Sequence, residues 1–131
     1  MILGTGFLIT FDEENTDALK KAAELETAGV PLRVPTTVVE ELYVGVGAGT
    51  ETNGNARKYE GLAANKPIVE TNENTARQAG ALEGEHVVSD SKPELGPGDT
   101  IIAATGLQYN EPVVTDDGDF THVEGLSVEL L

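Results

Sequence analysis

A three-layer α/β sandwich built around a short parallel sheet is the fold this sequence predicts, and two observations predict it. Short apolar runs, PLRV, PIVE, PVVT and LSVELL, alternate with longer stretches whose apolar residues recur at helical spacing. That alternation is what parallel strands joined by crossover helices require. The chain has 131 residues and is 39% hydrophobic, enough for one core and hence one domain over residues 1–131.

Taken in order, the opening MILGTGFLIT supplies a first strand and a turn. Asp12 to Ala28 reads as an amphipathic helix with Leu19, Ala22, Ala23 and Leu25 inward and Gly29 as its stop. Pro31 to Val34 starts a second strand. Thr36 is placed to cap a helix from Thr37 to about Val46, with the glycines at 45, 47, 49 and 54 marking its end and a loop. Asn55 to Ala64 reads as a short helix, Pro67 to Glu70 as a strand, and Glu73 to Leu82 as a helix. The segment from Gly84 to Pro97 is polar and loop-like. Asp99 opens the apolar helix DTIIAATGLQY, followed by the strand PVVT, the acidic turn DDGDF and the closing strand LSVELL.

Charge is the unusual property. Twenty-three acidic residues against eight basic ones give −15, and the acids are scattered rather than massed in a tail. Such a surface suits molar salt, where the Debye length is about 3 Å and self-repulsion is screened. A halophilic source is therefore expected, against the simpler reading of an ordinary acidic protein. The absence of cysteine excludes disulfides, thiolate zinc sites and cysteine nucleophiles, and fits a cytoplasmic location. No apolar run approaches the roughly 20 residues needed to cross a bilayer, so no membrane association is expected.

Ligands of open parallel sheets collect at the carboxyl ends of the strands. The polar residues placed there are mostly acids: Asp116, Asp117 and Asp119 after PVVT, Asp99 in the first turn of its helix, and Glu41 on the helix after the second strand. Each also has a purely structural explanation. Asp99 would cap a helix starting at Thr100, and DDGD would make a solvated turn. Glu41 nevertheless lies nearer than Glu40 to the apolar face formed by Val38, Val39, Leu42 and Val46, and so is the better candidate to point into a cleft. Carboxylates converging from distant positions suit Mg2+ or Mn2+, ions that take hard oxygen ligands. Gly4-Thr5-Gly6 imitates a dinucleotide-binding fingerprint, but position 9 is Ile and no amphipathic helix is expected to continue the turn. His86 and His122 are isolated, and no nucleophile elbow or phosphate loop is present. A receiver-like domain would have the acids but lacks the expected lysine near the last strands.

The segments ILGTGFLI, TTVVEELYVG, GDTIIAATGL, VVTDDGDF and GLSVELL, in this order, resemble the PIN-domain family along essentially the full chain, and VapC toxins in particular. The helix Asp-x-x-Ile-Ala-Ala-Thr, then an apolar strand, Thr-x-Asp-x-Asp-Phe and a closing Gly-Leu carry the resemblance most specifically. It implies an endoribonuclease toxin using Mg2+ or Mn2+, restrained by a VapB-like antitoxin and self-associating as a homodimer, with Leu42, Tyr43 and Val46 as the place to look for that contact. By position, Glu41, Asp99 and Asp117 match the second, third and fourth metal-binding acids; Asp119 would assist them, and Thr5, Thr115 and Asp116 would line the site. The family's first acid, which opens an Asp-Thr-Ser or Asp-Thr-Asn segment, is replaced here by Gly4, and the next polar position by Gly6. Glycine supplies no ligand, so impaired catalysis is expected, with a non-catalytic binding module as the alternative. Asp12, eight residues beyond Gly4, is expected to have left the cleft.

Overall fold

The computed structural model describes residues 1–12, 16–49, 57, 60–61 and 64–131. Its strands are short. β1 (Ile2–Leu3), β4 (Val113–Thr115) and β5 (Val128–Leu130) form one parallel sheet in the order β1-β4-β5, with Leu3 opposite Val114. β2 (Val34–Pro35) and β3 (Ile68–Val69) form a second parallel pair. A single bridge between Ile2 and Arg33 joins the two, through hydrogen bonds from Leu3 N to Arg33 O (2.9 Å) and from Arg33 N to Met1 O (2.9 Å). Ile2, Leu3, Val34, Val113 and Val114 are fully buried, as central strands covered on both faces must be. The predicted sandwich with a short parallel sheet is the fold observed.

All five helices among the described residues differ from the sequence expectation in some respect. Thr5–Asp12 is a helix, α1, beginning directly after β1, where a turn was expected. The run FLIT is apolar on every side, and periodicity alone does not separate buried strand from buried helix; Phe7 and Leu8 are buried in the core as helical residues. A helix thus does continue the turn directly, but it is not amphipathic, and Ile9 still breaks the dinucleotide fingerprint.

α2 (Thr16–Thr27) therefore starts later than predicted and turns its face by one residue. Ala18, Ala22 and Leu25 are inside, whereas Leu19 and Ala23 are exposed. Gly29, at φ 72°, ends it as expected. α3 (Thr36–Ala48) includes Thr36, whose hydroxyl pairs with that of Thr71 instead of capping; Pro35 stands at the cap position. Gly45 and Gly47 lie within this helix.

α4 (Glu73–Val88) runs six residues past its predicted end, because Ala79, Leu82 and His86 continue one buried stripe through Gly80 and Gly84. Asn72 caps it, accepting from Thr75 N (2.9 Å). α5 (Pro97–Tyr109) begins two residues before Asp99, with Gly96 at the cap position and Pro97 as first residue. Asp99 is therefore not the N-cap. α5 packs against α3, α4, β1 and β4. The expected helix at Asn55–Ala64 falls largely outside the described residues, as does the side chain of Asp12.

Candidate active site

β1 and β4 end side by side in register, and the chain leaves both at the same edge. Gly4 follows β1 and donates its N–H to Val114 O (3.0 Å), while Thr115 ends β4. α3 presents Glu41 from the neighbouring strand, and the first turn of α5 presents Asp99. Gly4, Thr5, Gly6, Glu41, Asp99, Thr115, Asp116 and Asp117, with Ile102 and Phe120 as apolar base, line a recess of about 190 Å3. Larger hollows exist beside Glu26 and Lys66 and beside Tyr43, but neither gathers these acids.

Local chemistry fixes several members. Thr5 Oγ1 donates to Glu41 Oε2 (2.6 Å), so the residue opening α1 holds the acid of α3. Thr115 Oγ1 accepts from Asp117 N (3.1 Å), and Asp117 Oδ1 accepts from Asp119 N (2.9 Å), which starts the 3-10 turn Gly118–His122. Asp119 itself is exposed and does not line the recess, although its charge reaches it. Asp99 is pushed up to about 6, first by burial and then by the charges of Glu41, Asp117 and Asp119. Like charges gathered in this way disfavour one another's ionisation, and a proton or a cation bound among them would relieve the repulsion.

Among the described residues, no lysine or arginine lines the recess. Arg33, Lys21, Arg77 and Lys92 form ion pairs elsewhere, with Glu111, Glu129, Glu73 and Glu85. His86, on α4, is buried with Nδ1 on Pro93 O (2.8 Å) and Nε2 without a partner; His122 is exposed. Neither histidine belongs to the recess.

The donors fit a hard divalent ion in kind but not in spacing. Among the described residues, no three carboxylate or imidazole side chains stand so as to hold one ion together. Gly4 lines the recess without contributing a side chain. Its φ is not positive, so the backbone does not require glycine there, and a Cβ would meet Val114 O at 3.2 Å and Thr115 Oγ1 at 3.4 Å, beside the acids.

Two features were not read from the sequence. A Cβ at Gly98 would fall on Glu41 Oε1, and one at Gly6 on Asp116 Oδ1, so both glycines provide room for acids of the recess. The Gly-Pro-Gly-Asp segment was the available signal for the first; it reads as a turn unless the opposing glutamate is known.

Comparison with known proteins agrees with this architecture. The PIN domain family model matches residues 1–126, and the chain belongs to that family. It is similar in structure to the VapBC2 complex of Rickettsia felis bound to a promoter DNA fragment, with TM-score 0.86, 21% identity, and 99% of this chain and 97% of that chain covered. It is also similar to VapBC-5 of Mycobacterium tuberculosis (0.66, 26%, 99% and 95%) and to VapBC-1 of Haemophilus influenzae (0.79, 20%, 98% and 96%). No curated protein sequence matches the chain.

Proposed function

We propose that the chain is a toxin of the VapC type, a ribonuclease by descent that cleaves RNA phosphodiester bonds poorly because Gly4 stands where the first metal-binding acid belongs. The observation that carries this reading is the convergence of Glu41, Asp99 and Asp117 on one recess, with Asp99 raised to about 6 by burial and by its acidic neighbours. A bound Mg2+ or Mn2+ would supply charge neutralisation and an activated water for hydrolysis. The chain's own contribution is to orient Glu41 through Thr5 and to anchor Asp117 through Thr115.

Partners follow from the same reading. The structural relatives are toxin–antitoxin complexes, which supports a VapB-like antitoxin as the restraining partner. Self-association is proposed through the outer face of α3. Of the three residues expected there, Leu42 and Val46 are only 3% and 6% exposed and belong to the interior, whereas Tyr43 (39%) and Val44 (61%) face outward. The contact is therefore reassigned to Tyr43 and Val44, and a monomer by light scattering at high salt would refute it.

The test is RNA cleavage with Mn2+ by the native chain and by Gly4→Asp. Cleavage gained by about 10- to 100-fold or more in Gly4→Asp identifies a disabled nuclease. Equal silence in both favours the second reading, a PIN-fold binding module without chemistry. The lack of any three-acid grouping among the described residues is the observation on its side.

A further inference from the structure

We propose that Gly98 is a positioning residue for Glu41: the lack of a side chain at position 98 is what lets the Glu41 carboxylate stand against the first turn of α5, one residue ahead of Asp99. The inference rests on reading the recess as the working site, and it assigns a role to a residue that bears no functional group.

The geometry is specific. A Cβ on Gly98 would collide with Glu41 Oε1, lie 3.1 Å from Glu41 Cδ and reach 3.6 Å from Thr37 Oγ1. The other carboxylate oxygen, Oε2, accepts from Thr5 Oγ1 at 2.6 Å. Glu41 is thus gripped between a hydroxyl at the start of α1 and bare backbone at the start of α5. To accommodate a methyl group at 98, its flexible carboxylate end must swing away from this position.

Nothing else explains a glycine here. Gly98 does not have positive φ, and inside a helix alanine is favoured over glycine. Gly96, two residues earlier, has nothing within 4 Å of a would-be Cβ, and the same holds for Gly80 and Gly84 on α4. Within the first turn of α5 the crowding is therefore confined to the position facing Glu41. Gly6 repeats the arrangement, where a Cβ would come within 2.8 Å of Asp116 Cγ, but Asp116 is exposed and free to swing away.

The decisive experiment is a thermodynamic cycle of urea midpoints, in chelator, for Gly98→Ala and Glu41→Ala singly and together. With Glu41 present, the alanine must displace the carboxylate and break its bond with Thr5, which offsets the helical preference for alanine. With Glu41 already removed the space is empty, and the helical preference for alanine raises the midpoint. A distinctly larger rise is expected in the Glu41→Ala background; equal shifts in the two backgrounds overturn the proposal. Gly96→Ala controls for effects of the helix start and should shift both backgrounds alike. A second arm uses Mn2+ as probe in the Gly4→Asp chain. There Gly98→Ala should weaken Mn2+ binding about tenfold or more, as losses of ligand orientation commonly do, and Gly96→Ala should leave it unchanged. Undiminished affinity in Gly98→Ala overturns the proposal. A Gly4→Asp chain that binds no Mn2+ sinks the cation reading of the recess, while the cycle still decides the role of Gly98.

Discussion

Replacing Asp99 by asparagine should stabilise the metal-free protein at alkaline pH. In the fold the carboxyl titrates at about 6 instead of 3.8, because burial and the charges of Glu41, Asp117 and Asp119 all oppose its ionisation. A folded-state pKa above the unfolded one means that the native chain binds this proton more tightly. The group therefore costs nothing below the unfolded value, and its penalty develops as pH rises from 3.8 and is complete above about 6. Each pKa unit corresponds to about 1.4 kcal/mol, so full conversion gives about 3 kcal/mol. Solvent reaches the recess, and screening reduces the figure to about 1–2 kcal/mol. Asp99 also sits in the first turn of α5, where a negative charge gains about 0.3–1 kcal/mol from the helix dipole, so the expected net gain for Asp99→Asn is about 1 kcal/mol. Urea denaturation in chelator and about 1 M KCl, at about pH 8 and about pH 4, measures it. The gain should be present at the higher pH and shrink at the lower. An Asp99→Asn chain less stable than the native one at the higher pH, or a gain indifferent to pH, would refute the picture of a desolvated carboxylate among like charges.

Two further outcomes follow from packing and from charge. Gly106 lies under Leu126 and Val113, whose side chains a Cβ would meet at 2.8 and 2.9 Å, with Glu111 O at 3.0 Å; Gly106→Ala is expected to lower stability by about 1–3 kcal/mol in a thermal or urea melt. With a net charge of −15, the folded chain should lose stability as KCl falls from about 1 M to about 0.05 M, where the Debye length grows from about 3 Å to beyond 10 Å; a midpoint independent of salt would contradict the expected halophilic source.

The residues that line the site were legible in the sequence because their chemistry is carried by side-chain type and by position after a strand. Helix phase alone separates Glu41 from Glu40, and position places Asp99 at the start of α5 and three acids, Asp116, Asp117 and Asp119, after β4, among which only the PIN-family resemblance singles out Asp117. Helix boundaries were less legible where tertiary contact overrode local signals. Gly80 and Gly84 would weaken an isolated helix, yet α4 continues through them because its buried stripe docks on α5. The phase of α2 was misread because the apolar FLIT run hid α1. Of Leu42, Tyr43 and Val46, where a self-association contact is sought from the sequence, only Tyr43 faces outward, since a sequence shows that a residue is apolar but not whether its own core already uses it. Gly98 and Gly6 were invisible as partners of acids 57 and 110 residues away, because a glycine declares only that it has no side chain and never which neighbour needs the space.

The bridge at Ile2 and Arg33 is the narrow waist of the sheet, and it divides the acids by ancestry in the fold. Glu41 descends from the β2 side, whereas Asp117 descends from the β1–β4 side, so their separation is inherited from two small rafts tied by a pair of amide links. Slack in that tie would be felt at the carboxylates as a change of spacing, far more than as any loosening of the core. The Thr5 hydroxyl, which starts on one raft and grips the acid of the other, works as a stay across the joint.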